Sequence, residues 1–481
     1  MIQVTCRDQK ISYTAYHLAK AFFPDEDVRL QPNDNMAKIR IRANDEQGLN
    51  IEAEEPEAFY QKLCLYTGRE LPWGMLTGVR PVKLPAAWIA EHAEQYPSRE
   101  EAREAFVRYF YDTRFVSPEK AELSFDIAWK ERDILQKQGL DGSGASLYVG
   151  IPFCPSVCRY CSFSSGPIGR YAGQVDDYLQ MLVLELRARK ESWFASDRYP
   201  DTIYMGGGTP TALSAEQLRY LQDQMERIFS IREGMAKGHI REYTVEAGRP
   251  DSITREKLKI LKEYGVNRIS VNPQTMNQKT LERIGRAHTP DQTRQAFFLA
   301  REEGFDNINM DLIMGLPGET AEDVRRTLED IEQLRPDSLT VHTLAIKRAS
   351  AMGIERRLSG PDRTEGADAA GSQIETMIAD AYDKARSMGM EPYYLYRQKM
   401  IAGNFENIGY ALPGKEGLYN ILIMEEIQSI IACGAGAATK IVREQPPGTF
   451  SESRTTKLIT RQENVKNIEE YIRRGTWEKD C

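Results

Sequence analysis

The strongest constraint on the fold is a strand, loop and helix pattern that repeats between about residues 146 and 350. Apolar strand segments recur as "SLYVGIPF", "DTIYMGG", "EYTVEAG", "NRISVNP", "NINMDLIMG" and "SLTVHTL", with amphipathic helical segments between them. Several strands are nearly continuous apolar runs, which is typical of a parallel sheet covered by helices. This alternation predicts an α/β protein, either an open sheet or a barrel, with its functional groups at the carboxyl ends of the strands.

The flanking regions follow other patterns. Residues 1–140 combine a short alternating strand, "KIRIRA", with long helical segments such as "SREEAREAFVRYFYDT", and the Gly-rich "GLDGSGAS" then forms a linker. Beyond residue 350 the regular alternation weakens. At 481 residues the chain is too long for one ordinary core, so we expect two or three domains.

Composition excludes several classes of protein. The net charge of −8 argues against nucleic acid as a partner, because phosphate binding favours a basic surface. No apolar run reaches the roughly 18 residues of a membrane span, and "MIQVTCRDQK" lacks the features of a signal peptide. Seven cysteines, four of them isolated (Cys6, Cys64, Cys433 and Cys481), predict no disulfide framework, and a reducing cytoplasm is the expected location.

The other three cysteines, Cys154, Cys158 and Cys161, lie within one loop after the first strand. Thiolates at this C-x3-C-x2-C spacing select zinc or an iron–sulfur cluster. A structural zinc ion needs a fourth ligand, and His288 is far away in the sequence. A [4Fe–4S] cluster held by three cysteines keeps one iron open for chemistry. Three cysteines without a metal are the alternative.

Two further motifs follow other strands: "GGGTP" (206–210) comes after the second, and "GLPGET" (315–320) comes after the fifth. Together with the cysteine spacing, they resemble the radical S-adenosylmethionine (radical SAM) enzymes, and in particular the anaerobic coproporphyrinogen III oxidase group. The segment "LPWGMLTGVRPVK" is similar to one in HemZ-type coproporphyrinogen dehydrogenases. The resemblance implies a partial (β/α)6 radical SAM barrel at 146–350, an α+β N-terminal domain at 1–140 and a smaller HemN-like C-terminal region at 351–481.

The resemblance also implies cofactors and site residues. Cys154, Cys158 and Cys161 would hold a [4Fe–4S] cluster, and S-adenosyl-L-methionine would bind its open iron. Matching the family's motifs to this sequence assigns the cofactor contacts to Tyr148, Tyr160, Gly207, Gly208, Thr209, Glu246, Gln274, Arg286, Asp311 and Ala345.

Elementary chemistry supports part of this set. Carboxylates such as Glu246 and Asp311 suit the hydroxyl groups of a ribose, and Arg286 suits a bidentate contact with a carboxylate. Taken singly, however, Asp311 could cap a turn and Arg286 could be a surface residue.

The implied reaction is the oxygen-independent conversion of coproporphyrinogen III to protoporphyrinogen IX. It requires a tetrapyrrole substrate, an electron donor such as flavodoxin or ferredoxin, and an electron acceptor of unknown identity. The basic residues that could contact the propionates are Arg80, Lys83, Arg249, Lys347, Arg348 and Arg397.

One position departs from the pattern of many family members. Phe163 stands two residues past the third cysteine, where several members have a fourth cysteine and the haem chaperones have phenylalanine. A haem-binding chaperone is therefore one alternative function, and radical chemistry on haem, as in anaerobic haem degradation, is another.

Overall fold

A computed structural model describes residues 1–6, 9–23, 26–32, 39–43, 49–163, 165–194, 198–347, 350–359, 367–397, 405–444 and 457–474. The chain folds into two compact units. The first comprises Met1–Arg132, Arg363–Glu375 and Tyr394–Ile408, and the second comprises Asp133–Asp362, Thr376–Tyr393 and Gly409–Cys481. The three-part division into 1–140, 146–350 and 351–481 stays a prediction.

The strands are β1 (Ile2–Cys6), β2 (Val28–Pro32), β3 (Ile39–Ala43), β4 (Asn50–Ala53), β5 (Ala145–Ile151), β6 (Phe153–Cys154), β7 (Gly166–Pro167), β8 (Thr202–Gly207), β9 (Glu242–Glu246), β10 (Arg268–Ser270), β11 (Ile308–Met314), β12 (Ser338–Thr343), β13 (Glu391–Arg397), β14 (Glu406–Ala411), β15 (Ser429–Cys433), β16 (Ala438–Glu444) and β17 (Lys457–Glu463). The helices are α1 (Gln9–Phe22), α2 (Pro56–Thr67), α3 (Lys83–His92), α4 (Arg99–Arg114), α5 (Pro118–Gln138), α6 (Val175–Trp193), α7 (Ala215–Phe229), α8 (Ile231–Ala236), α9 (Arg255–Glu263), α10 (Gln278–Arg283), α11 (Pro290–Glu302), α12 (Ala321–Leu334), α13 (Ala351–Ser359), α14 (Ala367–Ser387), α15 (Leu418–Glu425) and α16 (Ile468–Arg473).

The first unit contains a four-stranded mixed sheet in the order β2-β1-β3-β4. β1 pairs in parallel with β2 and antiparallel with β3. In "KIRIRA", Ile39 and Ile41 point into the core while Arg40 and Arg42 do not, as the two-residue period of a strand requires. The predicted strand and the predicted helical segment "SREEAREAFVRYFYDT", which forms α4, are confirmed.

The second unit is built on a large sheet in which β5, β8, β9, β10, β11 and β12 are neighbours in chain order. Every pair in this series is parallel. All six strands predicted from the sequence are therefore confirmed, as is the α/β fold class. Because the strands run in the same direction, the loops after β5, β8, β9, β10, β11 and β12 gather at one end of the sheet.

Local signals explain where several covering helices begin. Ser214, Thr289 and Thr320 each cap a helix (α7, α11 and α12) and form a reciprocal capping box with the third residue of that helix. Such boxes satisfy amide groups that a helix start otherwise leaves unpaired.

The series of parallel strands continues past β5 rather than ending there. β15 pairs in parallel with β5, and β16 and β17 follow it antiparallel. The buried Glu185 of α6 accepts hydrogen bonds from the amide of Gly434 and the hydroxyl of Tyr471, which fastens the Gly-rich turn after β15. At the opposite edge of this sheet, the strand order continues from β12 to β14 and then β13. Residues 409–411 of β14 and 391–393 of β13 belong to the second unit. Within the described ranges, no helix is both long and apolar enough to span a membrane.

Candidate cofactor site at the carboxyl ends of the strands

The three cysteines lie in and just after β6, where the chain leaves β5. All three are free thiols and half-buried. The Thr209 hydroxyl lies 3.6 Å from the Cys154 sulfur, and the amide of Cys161 donates to the carbonyl of Cys158 at 3.0 Å. Burial raises the pKa of both the Cys154 and the Cys161 thiols. A bound metal would offset this cost because it stabilises the thiolate form.

No group of three or more His, Cys, Asp and Glu side chains in the described ranges has the arrangement needed to hold a metal ion. The donors of a single ion converge on one point. Cysteines that bind different corners of one cluster surround a larger object, so their sulfurs lie farther apart. The arrangement required for a single ion therefore does not apply to a cluster held by Cys154, Cys158 and Cys161.

The glycines that follow β8 bring backbone against the cysteine loop. Gly207 has a φ of 104°, and a Cβ atom on Gly208 would lie 2.5 Å from the Phe153 carbonyl oxygen. Both positions therefore favour glycine. The amides of Gly208 and Thr209 donate to the carbonyls of Ile151 and Phe153 at 2.8 and 2.7 Å. Because these donors are already used, the groups that the loop can offer a ligand are carbonyl acceptors, which suit an amino group.

Arg286 follows α10 and is buried beside the cysteine loop. Its Nη1 donates to the carbonyl of Asn272 at 2.5 Å, and its guanidinium also contacts Tyr160 and Cys158. Its Nε has no hydrogen-bond partner, and no carboxylate among the described residues forms an ion pair with it. A buried guanidinium without an acidic partner fits a site for a ligand carboxylate. The alternative of a surface arginine is wrong.

Several buried polar atoms in and after β10 also lack hydrogen-bond partners among the described residues. They are Ser270 Oγ, Asn272 Oδ1 and Gln274 Oε1. Gln274 has a φ of 69°, and its backbone bridges to β11 through the amide of Ile313 and the carbonyl of Asp311. Unpaired buried groups and a left-handed non-glycine residue are features that occur at ligand sites.

Two carboxylates, those of Glu246 and Asp311, lie close enough for their charges to interact. Glu246 ends β9 and accepts a hydrogen bond from the Tyr204 hydroxyl at 2.5 Å. Burial raises the pKa of Glu246 to about 7, the bond from Tyr204 opposes the rise, and the charge of Asp311 adds to it. Burial alone would also raise the pKa of Asp311, but hydrogen bonds from His342, Asn309 and Thr340 outweigh it and lower that pKa. Asp311 is thus the more acidic of the two, and it does not cap a turn.

Three tyrosines stack beside these carboxylates. The ring of Tyr204 lies 6.1 Å from that of Tyr148 and 4.4 Å from that of Tyr419, measured between centroids. The Tyr148 hydroxyl borders Gly207. Tyr160 instead packs on an apolar cluster that includes Leu281 and lies against Arg286. Tyr148 and Tyr160 therefore form two separate walls of the face.

The predicted residues thus lie at or near the carboxyl ends of the strands, with two exceptions. Gly207 and Glu246 end strands, Tyr160, Gly208, Thr209 and Gln274 lie in the loops after strands, and Arg286 lies beside the cysteine loop, whereas Tyr148 and Asp311 lie within β5 and β11. Ala345 lies two residues past β12 and is half-buried. Their roles as cofactor contacts remain predictions.

Sequence reasoning missed Tyr204, His342 and Asn309. One signal was present, because Asn309 lies two residues before Asp311 and therefore on the same face of β11.

The basic residues considered for the propionates have varied surroundings. Arg249 is 2% exposed, and its guanidinium donates to Asp251 and Ser156 within the protein. Arg397 is also buried, and its Nη1 donates to the carbonyl of Leu76. Lys347 is exposed beside the ring of Phe163. Arg80 and Lys83 are half-buried, and Arg348 lies outside the described residues.

Comparison with known proteins agrees with the motifs. Residues 148–331 match the family model of the Radical SAM superfamily. The oxygen-independent coproporphyrinogen-III oxidase-like protein HemZ of Bacillus subtilis (strain 168) is 40% identical over 412 residues, which cover 86% of this chain and 76% of HemZ. The heme chaperone HemW of the same organism is 40% identical over 204 residues, which cover 42% of this chain and 51% of HemW.

A solved structure supports the fold. Coproporphyrinogen III oxidase (HemN) from Escherichia coli, a radical SAM enzyme, matches with a TM-score of 0.52 and 21% identity, covering 71% of this chain and 72% of that one. Proteins of the radical SAM superfamily use a [4Fe–4S] cluster and S-adenosylmethionine. The polar face built around Cys154, Arg286 and Glu246 has donors and acceptors that suit both groups. The chain therefore belongs to the radical SAM superfamily, in the HemZ-type family of oxygen-independent coproporphyrinogen-III oxidase-like proteins.

Proposed function

We propose that this protein is a radical SAM oxidoreductase that converts coproporphyrinogen III to protoporphyrinogen IX without oxygen. The observation that carries the radical SAM part is Arg286, a buried guanidinium that has no carboxylate partner among the described residues and lies beside three free cysteines. The substrate is inferred from the similarity to HemZ, which extends over 86% of this chain.

The proposed reaction converts two propionates of the substrate to vinyl groups. Each of two propionates loses one hydrogen atom from its β carbon and one electron, and it releases carbon dioxide to leave a vinyl group. When bound, the cluster and S-adenosylmethionine supply the radical that takes the hydrogen atom. The remaining electron passes to a one-electron acceptor, and a separate donor reduces the cluster.

The chain's own groups have defined tasks in this proposal. Cys154, Cys158 and Cys161 hold the cluster. Arg286 binds the carboxylate of S-adenosylmethionine, and the carbonyls after β8 accept its amino group, since the neighbouring amides are already bonded within the protein.

Glu246 and Asp311 accept hydrogen bonds from the ribose hydroxyls. Their different pKa values matter here. Asp311 is ionised at neutral pH, whereas Glu246 titrates at about 7 and can also donate. Tyr148 and Tyr160 form apolar walls that limit the access of water to the bound cofactor.

A second candidate is a haem-binding chaperone. The side chain of Phe163, two residues past the third cysteine, is 70% exposed, and a heme chaperone from Bacillus subtilis is 40% identical over 204 residues. An exposed aromatic ring is a suitable surface for a flat macrocycle.

Anaerobic purification followed by iron and sulfide analysis tests the cluster. Addition of S-adenosylmethionine and dithionite should then yield 5′-deoxyadenosine, and addition of coproporphyrinogen III should yield protoporphyrinogen IX. Cys158→Ser should abolish all three results. Cys64→Ser, which removes a half-buried cysteine of the first unit, should leave them unchanged. Stoichiometric haem binding without a porphyrinogen product would favour the chaperone, and a zinc-loaded, colourless protein would contradict both functions.

A further inference from the structure

Arg249 connects the loop after β9 to the cysteine loop. Its Nη1 donates to both the carbonyl oxygen and the hydroxyl oxygen of Ser156, each at 3.1 Å. Ser156 lies between Cys154 and Cys158, and its hydroxyl also contacts the carbonyl of Gly285 at 3.3 Å. Ser156 therefore connects the cysteine loop both to Arg249, which follows β9, and to Gly285, which follows α10.

The rest of the guanidinium is paired with one carboxylate. Nε and Nη2 each donate to Asp251 at 2.9 Å, which is a bidentate contact that restricts the rotation of the arginine. The Arg249 side chain is 3% exposed and the Asp251 side chain is 17% exposed. Water therefore screens the carboxylate more than it screens the guanidinium.

The charge of Arg249 acts at the cysteine loop. Its Nη1 lies 3.1 Å from two oxygens of Ser156, which stands two residues after Cys154 and two before Cys158. His288 does not contribute a charge, because burial, together with Arg286 and Arg249, lowers its pKa to about 3. Among the described residues, Arg249 and Arg286 are the buried cations beside the cysteine loop.

We propose that Arg249 is a positioning residue for the cluster loop and that its charge raises the reduction potential of the cluster. This inference rests on the proposed function, because it requires a cluster on Cys154, Cys158 and Cys161. Reduction adds one electron to the cluster, and a buried cation nearby favours the more negative state. Asp251 orients Arg249 and partly compensates its charge.

Redox titration of the anaerobically reconstituted full-length protein, followed by the electron paramagnetic resonance signal of the reduced cluster, tests this proposal. Arg249→Gln should lower the ratio of reduced to oxidised cluster about tenfold at a fixed applied potential, which is about 59 mV for a one-electron couple. Asp251→Asn should shift the potential in the opposite direction, because it removes the compensating negative charge. Arg249→Lys retains the charge and should shift it much less than Arg249→Gln.

Arg255→Gln provides the control. It removes an exposed arginine of α9 that pairs with Glu302 and should leave the potential unchanged. Equal potentials in the wild type, Arg249→Gln and Asp251→Asn, or shifts of the same sign in both variants, would overturn the role of Arg249. If the wild type itself assembles no cluster, the proposed function fails instead, so the two failures are distinguishable.

Discussion

Glu319 offers a direct test of the electrostatics around the Gln274 loop. It belongs to "GLPGET", is 8% exposed, and accepts a hydrogen bond from the Thr275 hydroxyl at 2.5 Å. Burial raises its pKa from 4.5 to about 7, and bonds from Thr275 and Thr280 only partly oppose that rise. The carboxyl therefore secures the residue next to Gln274 but is costly to ionise.

The direction of the pH effect follows from proton binding. Between pH 4.5 and about 7 the folded protein binds more protons at Glu319 than the unfolded chain does, so the free energy of unfolding falls as the pH rises. The change in pKa corresponds to about 3 kcal/mol once Glu319 is ionised in both states. Glu319→Gln keeps an oxygen acceptor for Thr275 and removes the ionisation.

We expect the variant to match the wild type at about pH 5 and to be more stable by up to about 3 kcal/mol at about pH 9. Urea unfolding followed by circular dichroism, with both proteins measured across this range, checks the difference. Glu329→Gln, an exposed position on α12, should show no such pH-dependent gain. A constant difference between Glu319→Gln and the wild type at every pH would refute the assignment of a costly buried carboxylate.

Three further predictions concern separate contacts. Tyr204→Phe removes a donor to Glu246, which should raise the pKa of Glu246 further above about 7; equilibrium dialysis should then show weaker S-adenosylmethionine binding near pH 7 and recovery near pH 9. Gln274→Gly should relieve left-handed backbone strain and stabilise the protein by about 1 kcal/mol in urea unfolding, yet weaken the same binding. Glu406→Gln should cost about 3 kcal/mol in unfolding experiments, because the Lys120 ammonium, now 2.6 Å from Glu406, would stay buried and keep the more distant contact with the exposed Glu119 at 3.6 Å in place of its close counter-charge. The first expectation is contradicted if S-adenosylmethionine binding to Tyr204→Phe does not depend on pH. The second is contradicted if Gln274→Gly is less stable than the wild type, and the third if Glu406→Gln unfolds with an unchanged free energy.

Much of the fold was predictable because its signals are local. Apolar strands such as "INMDLIM" and the capping box at Thr320 can be identified within about ten residues, and the parallel order of the six strands follows from the helices between them. β15 was not predicted as a neighbour of β5, because nearly 300 residues of sequence separate the two strands and no local pattern reports their pairing.

The candidate site likewise has one part that the sequence predicts and another part that depends on long-range contacts. The spacing of Cys154, Cys158 and Cys161 reveals a cluster loop, since the chemistry of thiolates and their separation along the chain are properties of the sequence. The surroundings of Arg249 depend on a long-range contact. Sequence reasoning listed it among six candidates for contact with the propionates, and the fold brings it to Ser156, which lies 93 residues away in the chain.

Residue type and spacing along the chain thus specified the alternation of strands and helices, the metal chemistry of the cysteine loop and the end of the sheet at which polar groups gather. The burial of each side chain, its ionisation state and its contact partners were determined by the tertiary structure. Whether Arg286 has an acidic partner, whether Glu246 titrates near 7 and whether Tyr204 stacks on Tyr419 all depend on which distant segments meet. The contacts between distant segments determine how much water remains around each side chain, and that hydration determines the free-energy cost of its charge.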